Sequence, residues 1–349
     1  MKPILSVCIP TFNRSNILNN TLKVFIDQVK NLDSPVEIVI SDNASYDETQ
    51  DIVNKYCKIY PFVKYFRNDL NFGFDRNVDI CINKANGDYV WIVSDDDYYE
   101  PDALRKIILV IEDNPAIEYI FLNYGIYKNN FKDFVAPSRV VASANCIVSN
   151  GNEFFKKTLF ANTLVSSNIF KMSLWLKSNA LKYYGTAWIH FYVSRDILLN
   201  VRSYIFHDIL LRQSGDELVL SRKRTMLQRL DIPNEYYLNA HLKFTDFVFT
   251  LELFGYDKKL KNIGLKIAKK DNLRQIVYYK LIGRKYSPKE LFLYYKLMYK
   301  YFKYYFSFWA VDIFILALPS KIVKTITELI LPLYKFIRGI IFLHKRDKC

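Results

Sequence analysis

Apolar positions in the first 125 residues fall into short β-rich runs separated by stretches of helical spacing. Residues 4–9, 36–40, 63–66, 89–93 and 117–122 read as strands. Residues 16–29, behind Ser15 as a cap, and residues 47–60, 75–85 and 102–111 read as helices, with Gly87 as a stop after the third. Strands alternating with helices of this length predict an α/β fold with a mostly parallel sheet. Ligands of such sheets bind beyond the carboxyl ends of the strands. Chemistry is therefore expected in the loops after Ile9, Ile40, Phe66 and Val93. Residues 126–216 alternate less regularly, and 222–285 are helical and basic, as in Lys258-Lys259-Leu260-Lys261. In 289–303, Lys289, Lys296, Lys300 and Lys303 fall on one helical stripe beside aromatic and aliphatic residues, and 321–338 repeat the arrangement.

Charge sharpens this division. Residues 1–120 hold 12 basic and 19 acidic side chains, 121–286 hold 26 and 12, and 287–349 hold 11 and 4, within a formal net charge of +14. An acidic amino-terminal segment thus carries a basic middle and tail, which suits a polyanionic or membrane-surface partner as well as nucleic acid. Five cysteines, with no CxxC or Cys/His spacing, imply no disulfide framework and fit a reducing compartment. Met1-Lys2-Pro3 leads directly into a strand, so no signal peptide is expected. No apolar run reaches the roughly 20 residues needed to span a bilayer, the nearest being Tyr304 to Leu318, interrupted by Asp312.

The candidate chemistry lies in the expected loops. Ser94-Asp95-Asp96-Asp97 follows the apolar run Tyr89-Val90-Trp91-Ile92-Val93 and continues into Tyr98-Tyr99-Glu100-Pro101-Asp102. Adjacent carboxylates repel, and a hard divalent cation relieves that repulsion while bridging one or two of them to a phosphate. Pro10-Thr11-Phe12-Asn13-Arg14 is expected to end the first strand at Pro10 and to offer hydrogen bonds to a ring or ribose. Ser41-Asp42-Asn43-Ala44-Ser45 places an aspartate where it can accept from a base N–H or a ribose hydroxyl, or simply cap the next helix. Asn71-Phe72-Gly73, with Arg76 and Asn77, offers a turn and donors at a helix start. With no Walker or GxGxxG sequence, diphosphate binding falls to the acidic turn and its metal.

Together, in this order and spacing over about residues 3–125, these motifs resemble the nucleotide-sugar half of family 2 glycosyltransferases. The resemblance implies a GT-A (Rossmann-like) fold, a UDP, CDP, GDP or dTDP sugar donor, Mn²⁺ or Mg²⁺ as cofactor, and inversion by single displacement. By position it makes Asp42 the base contact, with Pro10, Thr11, Asn13 and Arg14 on the uridine side and Asn71, Gly73 and Arg76 on the donor loop. Asp95 becomes a ribose or diphosphate contact, and Asp96, assisted by Asp97, the metal ligand. Residues 1–125 are then the donor half, 126–221 the acceptor half, 222–286 a basic helical segment and 287–349 a membrane-associating or packing tail.

The family's Glu-Asp base pair has no counterpart in Gly185-Thr186-Ala187-Trp188-Ile189-His190-Phe191. His190 stands in its place, with Asp196 as the competing base. The preceding Ser166-Ser167-Asn168-Ile169-Phe170 resembles the acceptor-side segment of abequosyltransferase-type O-antigen transferases. The leading expectation is a transferase of bacterial surface polysaccharide synthesis with a lipid-linked glycan acceptor, which would gain from attachment of the basic tail to an anionic membrane surface on the cytoplasmic face of the inner membrane. Helix packing or a homo-oligomer interface is the alternative use of the tail, and no nucleic-acid partner is expected. Nucleotidyl transfer would require a glycine-rich signature and a phosphate-binding lysine near residues 4–16, and a non-catalytic binding module would leave the acidic triplet without a role.

Overall fold

A computed structural model of the chain describes residues 2–215 and 244–281, with residues 299 and 322 besides. Two compact units divide it, one formed by residues 1–233 and 250–261 and the other by 234–249 and 262–349. The first unit carries every motif above. Of the second, the described parts are helical residues 244–249 and the continuation of the helix Lys258–Leu281. The basic segment before residue 244 and the aromatic tail, apart from residues 299 and 322, lie outside the described residues. No helix of the described residues is long and apolar enough to cross a membrane.

The first unit is built on a mixed sheet. Its amino-terminal half runs β1 (Leu5–Thr11), α1 (Ser15–Lys30), β2 (Val36–Asp42), α2 (Thr49–Ile59), β3 (Val63–Arg67), α3 (Phe74–Asn83) and β4 (Tyr89–Ile92). Strands β3, β2, β1 and β4 are adjacent in that order and mutually parallel. Both faces of β1 and β2 are covered, which accounts for their nearly continuous apolar sequence. Helix α1 packs with α2 and α4 (Ala103–Asp113), while α3 lies against β1, β2 and β4.

After β5 (Tyr98–Tyr99) and α4, the chain adds β6 (Tyr119–Lys128), β7 (Asp133–Pro137), β8 (Cys146–Val148), α5 (Gly151–Thr158), β9 (Asn168–Lys171), α6 (Met172–Lys177), α7 (Ile189–Ile197) and β10 (Ser203–Ser214). β9 inserts between β4 and β6, antiparallel to both, and β10 runs parallel to β6. The irregular middle of the sequence is therefore the second half of the same sheet.

Several boundaries differ from the sequence expectation. β1 does not end at Pro10. It continues to Thr11, with Pro10 opposite Ser41 and Thr11 opposite Asp42. Asp42 is likewise a strand residue. Arg14, not Ser15, occupies the cap position of α1, and the Ser15 N–H is instead satisfied by the Asp47 carboxylate at 2.9 Å. Gly87 does not stop α3, which ends at Asn83. A Cβ at Gly87 would meet Ser6 Oγ at 2.6 Å and Ser6 N at 2.7 Å, so the glycine is required by close approach to β1.

Candidate active site

The acidic turn rests on an aromatic base. Trp91 on β4, Phe25 on α1 and Tyr99 on β5 pack with ring centroids 4.8–5.4 Å apart, all buried. Their polar tips then hold the turn. The Tyr99 hydroxyl donates to the Ser94 carbonyl at 2.6 Å, and Trp91 Nε1 donates to the Ser166 carbonyl at 2.8 Å. Ser166 Oγ accepts from the Ser94 N–H at 3.0 Å and donates to Asp97 Oδ2 at 2.7 Å. Beyond the turn, Arg212 on β10 forks onto both oxygens of Glu100, at 2.6 and 3.2 Å. The acids are thus fixed from below by both halves of the sheet.

The three aspartates have distinct environments. Asp95 is buried, accepts from Thr11 Oγ1 at 3.0 Å and pairs with the Arg14 guanidinium. Its backbone carbonyl accepts from Thr21 Oγ1 at 2.9 Å. Burial pushes the Asp95 carboxyl up against the pull of Arg14, and Asp95 in turn keeps Arg14 firmly protonated. Asp96 is half-buried, takes a hydrogen bond from Ser94 Oγ and stands 3.3 Å from Arg14. Asp97 is half-buried against Ser166. Among the described residues, no three His, Cys, Asp or Glu side chains meet around one point. The turn carries carboxylate oxygens, the hard ligand type that Mg²⁺ and Mn²⁺ prefer when one or two carboxylates are completed by diphosphate and water.

The loops after β1 and β2 are stitched together beside this turn. The Asn13 N–H donates to Ser45 Oγ at 2.8 Å, Asn13 Oδ1 accepts from the Tyr46 N–H at 2.9 Å, and the Asn43 N–H donates to the Thr11 carbonyl at 3.0 Å. Asp42 is completely enclosed. It accepts from the Ser45 N–H at 2.9 Å and the Tyr65 hydroxyl at 2.6 Å, with Arg67 Nε at 3.6 Å. Asn13 and Ala44 hold positive φ of 52° and 65°, a strained backbone stabilised by these bonds.

An asparagine network joins the third loop to the other two. Asn71 Oδ1 accepts from Asn43 Nδ2 at 2.6 Å and from the Gly73 N–H at 2.9 Å. Asn77, at the start of α3, accepts from Ser41 Oγ at 2.7 Å and from Asn68 Nδ2 at 2.9 Å, and donates to the Ser41 carbonyl at 2.9 Å. Gly73 adopts φ 82° and caps α3. Arg76 is exposed on the rim, its guanidinium 3.9 Å from the centre of the Phe72 ring.

The two candidate bases stand elsewhere, on α7. His190 is buried, with Nε2 3.1 Å from the Thr163 carbonyl and Nδ1 enclosed with no hydrogen-bond partner among the described residues. Burial lowers its pKa from 6.5 to about 4. Asp196 accepts from the Tyr183 hydroxyl and faces Lys182 at 3.3 Å and Arg195 at 3.1 Å.

The family model described as glycosyl transferase family 2 matches residues 6–181, just over half of the chain. The chain belongs to glycosyl transferase family 2. The abequosyltransferase RfbV of Salmonella typhimurium is 44% identical over 119 residues, which cover 34% of this chain and 35% of that protein. The GalNAc(5)-diNAcBac-PP-undecaprenol beta-1,3-glucosyltransferase of Campylobacter jejuni is 27% identical over 57% of this chain and 62% of its own length. The alignments therefore span about a third and about three-fifths of these relatives. Residues 1–349 of S. aureus TarS, solved with UDP, superpose with a TM-score of 0.51 at 17% identity, over 82% of this chain and 93% of that one. The shared architecture is of GT-A type.

Within this family member, the geometry adds residues that the sequence reading did not single out. Ser166 and Tyr99 hold the acidic turn, and Asn43 and Asn68 bind the loops together. Four asparagines at 68, 71, 77 and 43 were the available signal, because short amides repeated in loops commonly serve the backbone.

Proposed function

We propose that the protein transfers a sugar from a nucleoside-diphosphate donor to a glycan acceptor in bacterial surface polysaccharide synthesis, with inversion by single displacement. The observation that carries this reading is a chain of linked loops: Thr11 and Arg14 tie the β1 loop to Asp95 of the acidic turn, the Asn43 N–H ties the β2 loop to Thr11, and Asn43 Nδ2 ties it in turn to Asn71 before α3. Pro10, Thr11, Asn13 and Arg14 form the nucleoside wall. Asn71, Gly73 and Arg76 form the opposite rim. Asp42 shapes the base pocket by holding the Ser45 turn and Tyr65. Asp95 stands on the ribose and diphosphate side, and Asp96 with Asp97 would hold Mn²⁺ or Mg²⁺. When bound, the cation offsets the charge that builds on the departing diphosphate.

For deprotonation of the acceptor hydroxyl the candidates are His190 and Asp196. With Nε2 donating to Thr163, His190 keeps a lone pair on Nδ1 but encloses it, so it serves as base only if α7 shifts to expose that nitrogen. Both Asp196 oxygens are engaged by Tyr183, Lys182 and Arg195. The name of the Campylobacter relative places its acceptor on undecaprenol. By that analogy and by its basic tail, this chain acts on a lipid-linked acceptor at an anionic leaflet, on the cytoplasmic face of the inner membrane. Residues 126–221 are its acceptor half.

The test is a panel of UDP-, CDP-, GDP- and dTDP-sugars incubated with the full chain and Mn²⁺, reading release of nucleoside diphosphate. One donor class should be consumed. Consumption of none, while added nucleoside diphosphates also fail to bind, overturns the reading.

A further inference from the structure

Helix α3 carries the donor rim at its start and two acidic side chains on its inner side. The Asp79 carboxylate accepts from Trp175 Nε1 at 2.8 Å and from the Tyr184 hydroxyl at 2.7 Å, so it fastens side chains. Asp75 is different. It is buried, and its two oxygens accept from backbone: Oδ2 from the Ala187 N–H at 2.6 Å and Oδ1 from the Ile189 N–H at 3.1 Å. Ile189 is the first residue of α7, whose own cap residue Trp188 supplies no side-chain cap. A carboxylate reaching across from α3 thus caps α7, where unpaired N–H groups and the helix dipole both favour negative charge. The same contact holds Ala187 at φ 57°, a conformation that an alanine adopts only under constraint. Two positions before Asp75 lies Gly73, and next to it Arg76, both on the donor rim. One residue after Ile189 lies His190.

We infer that Asp75 is a positioning residue that couples occupancy of the donor site to the placement of the Gly185–Ile189 turn and the first turn of α7. The inference rests on the donor-site reading above. Nucleotide binding orders the 71–77 loop, α3 transmits that order as a rigid element, and Asp75 passes it to the Ala187 and Ile189 amides. The acceptor side is then set only when a donor is in place.

The experiment is hydrogen–deuterium exchange on the full chain with UDP, CDP, GDP or dTDP plus Mn²⁺. In the wild type, the nucleotide that binds should slow exchange about tenfold both in peptides over residues 10–15 and 42–47 and in the peptide over 184–192. In Asp75→Asn, the first two should keep their protection and the third should lose its nucleotide-dependent part. Asp79→Asn should retain all three, because Asp79 holds no α7 amide. Asp75→Ser provides the same comparison should the asparagine variant fail to fold. An unchanged 184–192 peptide in the wild type, or retained coupling in the Asp75 variants, overturns the inference. Protection absent everywhere with all four nucleotides overturns the donor-site reading and the coupling with it.

Discussion

His190 shows how burial decides what a titratable side chain can do. Its folded pKa lies near 4 and its unfolded value near 6.5, so the unfolded chain binds the extra proton between these values. The stability that neutral His190 contributes is fully present above pH 6.5 and is lost as pH falls to about 4, an effect of about 3 kcal/mol. Denaturant unfolding from pH 7 to 4 should show this slope in the wild type, and His190→Gln should flatten it. As the base, His190 also requires that His190→Ala lower turnover by about 10²–10⁴-fold with donor affinity nearly unchanged. The same loss in Asp196→Asn, with His190→Ala active, transfers the role to Asp196. Asp42 makes a parallel case, since its carboxylate is consumed by Ser45 and Tyr65. Replacing it with alanine should weaken nucleoside diphosphate binding with and without metal, as read by calorimetry. Loss of the metal-dependent part alone would place Asp42 elsewhere.

At the level of elements, strand β4 and its acidic turn form one unit with the aromatic cluster beneath. Tyr99→Phe keeps the ring packing but removes the hydroxyl that holds the Ser94 carbonyl. It should cost about 1–3 kcal/mol, read as a lower denaturation midpoint. Donor affinity should fall too, because the turn loses its anchor. Unchanged stability and affinity would detach the turn from that cluster. The order of strands and helices to residue 122, the two-residue β5 excepted, was legible because each of the first four β-rich runs is followed by a stretch of helical spacing. The strand ends were not. Pro10 reads as a terminator because it lacks an N–H, yet β1 pairs through it to Thr11. β9 was hidden for a different reason. Its four residues are placed by pairing with β4 and β6, contacts about 80 and 50 positions away that no local pattern announces.

For the whole molecule, the sequence divides an acidic amino-terminal third from a basic remainder, and the division has a consequence in solution. If residues 287–349 hold the protein on an anionic leaflet, truncation after Lys285 should release it from membranes while donor hydrolysis persists, since every donor motif precedes residue 103. Binding of the full chain to anionic vesicles should weaken as salt rises, because charge attraction is screened beyond about 8 Å at physiological ionic strength. Equal binding to neutral and anionic vesicles would contradict the electrostatic anchor. The loop motifs of the proposed donor site stand out in the sequence, whereas the wiring between them through Ser166 and the asparagines appears only once both halves of the sheet are in place. All of this turns on whether the acidic turn holds diphosphate through a metal. The direct test is calorimetric titration of the full chain and of Asp96→Asn with nucleoside diphosphates, each with and without Mn²⁺. The wild type should bind one of them far more tightly with Mn²⁺, and Asp96→Asn should fold normally and lose that increment. Equal affinity of the two proteins in Mn²⁺ would contradict the account.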